Sequence, residues 1–220
     1  PSLAYMAVTW VALGLWGWGL QRGWQRLRHR WYWRWLWAAG LVALLPVYLL
    51  ASIWWLHPDI LPRRVAYDFI ANRQVTEQLV DPALLKVERW NILDQEREVL
   101  FVHPAASGST ALVYPVVVES RTAFHAELAV APEAWTEEGD GVTFSVYVED
   151  DAGMHLLISR YVDPKHHQQD RRWVPMRANL SPFEGKLVRI ILAVNSGPAG
   201  DMRHDWSGWG EPRLERPAWP

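Results

Sequence analysis

The chain has 220 residues and a formal net charge of −2, with 16 tryptophans and no cysteine. The lack of cysteine excludes disulfides, thiolate metal sites, iron–sulfur ligation and covalent c-type haem attachment. The length allows one well-cored domain plus an appendage.

Charge and tryptophan are split along the chain. Residues 1–57 hold Arg22, Arg26, Arg28, Arg30 and Arg34 and no Asp or Glu, whereas the rest carries 17 basic against 24 acidic residues. Ten tryptophans fall in those first 57 positions and six in the remainder. That contrast predicts a membrane part joined to an aqueous part.

Residues 3–20 run without a charge, and residues 35–56 form a second, longer uncharged run with Pro46 inside it. At about 1.5 Å per residue each is close to the roughly 30 Å of a hydrocarbon core, so a two-helix transmembrane hairpin is expected over 1–57. The loop 21–34 is strongly basic and is placed in the cytoplasm by the positive-inside rule, which leaves both termini extracytoplasmic. Trp24, Trp31, Trp33, Trp35 and Trp37, with Arg26, Arg28, Arg30 and Arg34, form an expected interfacial belt on one side. Trp54 and Trp55 mark the other side. The same loop suits anionic lipid or nucleic acid, but an anchoring belt is favoured and no nucleic-acid partner is expected. Neither span has an Asp, Glu, Lys, Arg or His near its centre, so no proton relay, ion site or cofactor is expected there. Gly14, Gly17 and Gly19 leave a smooth face for the second span or for helices of another subunit.

Residues 58–89 read as a juxtamembrane connector, partly helical. Val65, Phe69, Ile70, Val75 and Leu79 recur at roughly helical spacing before Asp81-Pro82.

From Trp90 to Pro220 the period becomes that of strands. WNIL, REVLFVHP, ALVYPVVV, FHAELAVA, VTFSVYVE, MHLLISRYV, WVPMRANL, KLVRIILAV and SGWGEPRL are separated by Gly-, Asp- and Ser-rich turns. Eight or nine short strands of this kind predict an all-β antiparallel sandwich of jelly-roll type. No βαβ alternation or Gly-rich phosphate loop occurs, which argues against nucleotide chemistry.

The succession HPAASG, GDGVTFSVYV, YVDP, DRRWVPMRANLSPFEGKLVRIILAVNSGPAGD and DWSGWGEPRL resembles carbohydrate-binding-module-like (galactose-binding-like) sandwiches. Such domains occur on bacterial envelope proteins, including the C-terminal tails of polytopic membrane proteins. The resemblance spans about Trp90 to Leu214 and specifies fold more than activity. It implies that the aspartate and tryptophan of the last strand are mostly structural. The calcium-site loop of many such modules has no recognisable counterpart here.

In the closing segment HDWSGWGEPRL, strand geometry puts Asp205, Trp209 and Glu211 on one face. Trp206 is then on the other, expected in the core. A sugar platform using both tryptophans needs a bulge, which Gly208 or Gly210 supplies. Core packing is the favoured reading, and Asp205, Trp209, Glu211 and Trp173 remain the candidate ligand contacts.

Asp201, His204 and Asp205, with Asp140 or Asp170, offer hard ligands for calcium, and His166-His167 with Asp163 and Asp170 offer zinc ligands. A solvated turn and a polar loop are the favoured readings, so no metal site is expected. No nucleophile elbow or carboxylate pair with catalytic context is apparent, and the chain reads as non-catalytic.

The expected function is a membrane-anchored extracytoplasmic module that binds or scaffolds protein or glycan, in a bacterial cell membrane. One alternative is an accessory subunit of a respiratory or photosynthetic membrane complex. Another is the C-terminal tail of a polytopic envelope glycosyltransferase.

Overall fold

The computed structural model describes residues 62–75, 77–78, 85–105 and 109–218, together with Trp18 and Arg22. Two compact units are separated, Pro1–Pro62 and Arg63–Pro220. In the first, Trp18 and Arg22 are helical and exposed, and the Arg22 guanidinium lies 4.0 Å from the centroid of the Trp18 ring. This is a cation–π contact between residues one helical turn apart. The spans 3–20 and 35–56 and the belt residues of loop 21–34 otherwise lie outside the described residues. Among the described residues no helix is long and apolar enough to cross a membrane.

The second unit is a β-sandwich. Its strands are β1 (Arg63–Asp68), β2 (Glu77–Gln78), β3 (Leu85–Ile92), β4 (Gln95–Val102) and β5 (Thr110–Val117). They continue with β6 (Ala123–Val130), β7 (Val142–Asp150), β8 (Gly153–Val162), β9 (Val174–Asn179), β10 (Leu187–Ser196) and β11 (Ser207–Pro217). One sheet runs β3-β4-β11-β6-β9, with β1 also paired to β11; the other runs β2-β5-β10-β7-β8. The strand pairs are antiparallel, so period-2 alternation sends one face of each inward. Leu100, Leu128 and Trp209 of the first sheet meet Leu112, Phe144 and Ile190 of the second in one continuous core.

Each of the strand segments expected from the sequence overlaps a strand of the sandwich, although WNIL is only the end of β3, which starts at Leu85 inside the expected connector. The connector is a correction. Residues 63–68 form a strand, not a helix, pairing with Arg213–Pro217 of β11. Phe69 and Ile70 then turn inward into the core, where Phe69 packs edge-on against Tyr114 at 4.7 Å between ring centroids. The Asp68 carboxylate holds this turn by accepting from the Ile70 and Ala71 backbone N–H groups. The sandwich therefore begins at Arg63, well before Trp90.

β11 is the strand that organises the site. Its first part, Ser207–Gly210, lies between β4 and β6; after a register shift between Gly210 and Arg213, its second part lies between β1 and β6. Glu211, in the shift, has a left-handed backbone with φ of 43°.

Candidate ligand groove beside the closing strand

The two faces of β11 carry different chemistry. Trp209 points into the core, fully buried, with its ring edge-on to Phe144 at 5.1 Å and Phe124 at 6.1 Å. Its indole N–H has no hydrogen-bond partner. Trp209 is thus closed to any ligand.

The glycines on either side of Trp209 face the outer surface of the sheet, and indoles fill the space above them. A Cβ at Gly208 would come within 2.5 Å of Trp90 Cζ3 and Val99 Cγ1. A Cβ at Gly210 would come within 2.8 Å of Trp173 Cζ3. Only glycine permits this close approach, which marks a strand interior where another group lies on the backbone. Trp90, Ile92, Val99, Ala129, Ala131 and Trp173 form a second apolar cluster there, with Phe101 and Trp135 packed against it. The indole N–H groups are satisfied: Trp173 donates to the Gln95 carbonyl at 3.0 Å, Trp135 to the Val130 carbonyl at 2.8 Å, and Trp90 to Glu88 Oε2 at 3.0 Å.

Trp206 shares the outer face. It is 37 % exposed, the one exposed tryptophan among the described residues of the sandwich. The expectation that it enters the core is reversed. Its backbone is fixed, because its carbonyl accepts from the Ala131 N–H at 2.9 Å. Its ring meets His204 edge-on at 5.6 Å, and His204 Nδ1 lies 2.9 Å from the Glu138 carbonyl oxygen.

Between Trp206 and β3 runs an open groove of about 460 Å3. Trp206, Trp90, Phe101 and Pro132 supply apolar walls, and Glu88, Arg89, Asn91 and Glu133 supply polar ones. Glu88, Arg89, Asn91 and Glu133 are exposed. Arg89 is opposed by Glu96 at 3.5 Å. The groove residues other than Trp206 were not singled out by the sequence reading. Glycines alternating with tryptophan in SGWG were the available signal, since they show that something lies on that face.

The other sequence candidates are placed as follows. Trp173 is buried over Gly210 and cannot present its face to a ligand. Glu211 is half-buried and ion-paired to Arg213 at 3.2 Å and Arg97 at 3.6 Å. Asp205 is 2 % exposed at the end of the sandwich, with Oδ2 unpaired. Burial, with Asp140 and Asp201 nearby, pushes its pKa up to about 8. It borders a cavity of about 20 Å3, room for one water, also lined by Glu138, Asp163 and His204.

The remaining acids serve the loops. Asp163 is buried; despite that burial, the His166 N–H and ring and the Tyr161 hydroxyl hold its carboxyl below the usual range. Asp170 accepts from the Asp163 N–H at 3.0 Å. Arg203 holds Asp201 down to about 2. Asp140 accepts from the Ala199 N–H. Among the described residues no three or more His, Asp or Glu side chains are arranged to hold a metal ion.

No family model matches the chain. A protein of Archaeoglobus fulgidus described as uncharacterized is 36 % identical over 127 residues, covering 56 % of this chain and 32 % of that one. The chain therefore spans about a third of the length of that relative. Solved structures similar to it include carbohydrate-binding modules, the kind of sandwich its sequence resembles. One contains the CBM51-2 and INT domains of Clostridium perfringens ZmpB, at 15 % identity and a TM-score of 0.44, covering 60 % of this chain and 26 % of that one. The same pair in complex with GlcNAc aligns at 14 % identity and 0.43, covering 66 % and 28 %. TmCBM61 in complex with β-1,4-galactotriose aligns at 19 % identity and 0.39, covering 70 % and 87 %.

Proposed function

We propose that the sandwich is a non-catalytic glycan-binding module and that the groove beside Trp206 is its binding site. The observation that carries this reading is Trp206 itself: an exposed indole with a hydrogen-bonded backbone, standing over a groove with polar groups of both kinds. A pyranose offers an apolar C–H face for an aromatic ring and hydroxyls around its rim. A concave, partly aromatic site with a few convergent polar groups has the matching chemistry. Asn91 both donates and accepts, and Glu88 and Glu133 accept.

The two uncharged runs 3–20 and 35–56 support a further part of the proposal, that residues 1–57 anchor the module to a bacterial cell membrane with the sandwich outside.

The test is a glycan array probed with the full chain in detergent, followed by titration with N-acetylglucosamine and β-1,4-galactotriose, the sugars named in two of the similar structures. Binding that is weakened at least about tenfold by Trp206→Ala supports the site. Binding of no glycan, or binding indifferent to Trp206→Ala, overturns it.

A further inference from the structure

The charged walls of the groove are unequal, and the glycan reading can be carried one step further on that ground. Three charged residues line it: Glu88, Arg89 and Glu133. Arg89 alternates with Glu88 and Trp90 along β3, and its guanidinium is opposed by the Glu96 carboxylate at 3.5 Å. Among the described residues no cation lies within ion-pair distance of the other two, although Lys86 shares the face of Glu88 two positions along β3. Glu88 Oε2 accepts only the Trp90 indole N–H, a neutral donor, at 3.0 Å. Glu133 is exposed and has no hydrogen bond or ion pair with any described residue. Among its described lining residues the groove thus presents two carboxylates without an ion pair around an aromatic platform, against one cation that shares its charge with Glu96 in an exposed contact.

We propose that this groove selects a saccharide carrying a free, protonated amine, of the glucosamine type, and rejects one carrying a carboxylate, of the uronic acid type. The proposal rests on the glycan-binding reading of the same groove. Its physical basis is differential: an ammonium donates charge-assisted hydrogen bonds to Glu88 and Glu133, whereas a uronate meets like charge. Both carboxylates are exposed, so each contributes modestly and the preference is screened by salt.

The experiment compares three oligosaccharides of equal length on the full chain: glucosamine, N-acetylglucosamine and glucuronic acid, at about pH 6 and low salt, below the pKa of the amine. The amine form is expected to bind on the order of fivefold tighter than the acetylated one, and the uronate weakest. In Glu88→Gln/Glu133→Gln the ratio of amine to acetylated affinity is expected to fall toward one. The Gln at 88 can still accept from Trp90, so that variant keeps the local packing. Equal affinity for all three sugars, or preference for the uronate, overturns the charge selection while leaving the glycan reading intact. A ratio unchanged in the double variant also overturns it. Failure of all three sugars to bind overturns this proposal, and the glycan reading beneath it falls as well only where β-1,4-galactotriose and the glycan array also show no binding.

Discussion

The indole of Trp90 occupies the space above Gly208, so close that a methyl group there would stand 2.5 Å from Trp90 Cζ3. This contact links the closing strand to the wall of the groove, because Trp90 lines that groove while Gly208 lies between β4 and β6.

Gly208→Ala is therefore expected to push Trp90 and Val99 outward. The cost is about 1–3 kcal/mol, as for other overpacked sites, read as a lower unfolding midpoint in urea. Any groove ligand should also bind more weakly. An unchanged midpoint would show that the cluster over the outer face yields freely.

Trp206 and Trp209 separate binding from stability, although only three positions apart. Trp209→Ala empties the centre of the core and should cost about 3–5 kcal/mol. Trp206→Ala removes a ring that is 37 % exposed and should cost about 1 kcal/mol, well below the core variant. Chemical denaturation of both variants checks the pair.

Asp205 gives the domain a pH dependence of definite sign. Its pKa rises from 3.8 to about 8 on folding, so between those values the folded state binds more protons than the unfolded chain. Its contribution is complete below the unfolded value and is lost as pH rises through the folded one. Asp150 and Asp201, both held near 2, act in the opposite sense and only at lower pH. Lys186 holds Asp150 down and Arg203 holds Asp201. The melting temperature should fall by on the order of 5 °C between about pH 5 and pH 8.5. Asp205→Asn, neutral throughout, should flatten that slope; the same slope in the variant would assign it to other groups.

The proposed anchoring is checked separately. The full chain should stay with membranes after alkaline carbonate extraction, and the sandwich should be cleaved by protease added from the extracytoplasmic side only. Release by carbonate would contradict the anchor without touching the groove.

How far the sequence carried the structure differs from element to element. Alternation made β7 and β9 legible, with Val142, Phe144, Val146 and Val148 all pointing into the core, whereas β5 and β10 showed as continuous apolar runs between turn signals. β1 was not legible. Its register shifts between Val65 and Tyr67, and Phe69 and Ile70 belong to the turn beyond it, so the apolar spacing mimics a helical period. β2, of two residues, is too short to show any period.

At the site, the separation of Trp206 from Trp209 was legible, but Glu211, expected beside Trp209, falls in the register shift and pairs instead with Arg97, whose guanidinium lies over the Trp173 ring. The identity of the inner side was not legible. Both faces of the strand are covered, one by the second sheet and the other by Trp90 and Trp173, which are remote in sequence. Either tryptophan of DWSGW could then have been the core residue on pattern alone. Gly208 and Gly210 hold the answer, as places where indoles touch the backbone, while the bulge falls after Gly210.

The central claim, that Trp206 is the platform of a glycan site, is tested most directly by calorimetric titration of the full chain and of Trp206→Ala with N-acetylglucosamine and β-1,4-galactotriose. The account predicts measurable affinity for at least one of them in the wild type and a loss of at least about tenfold in the variant, which stays folded at the temperature of the titration. Equal affinity in the two proteins, or none in either, would contradict it.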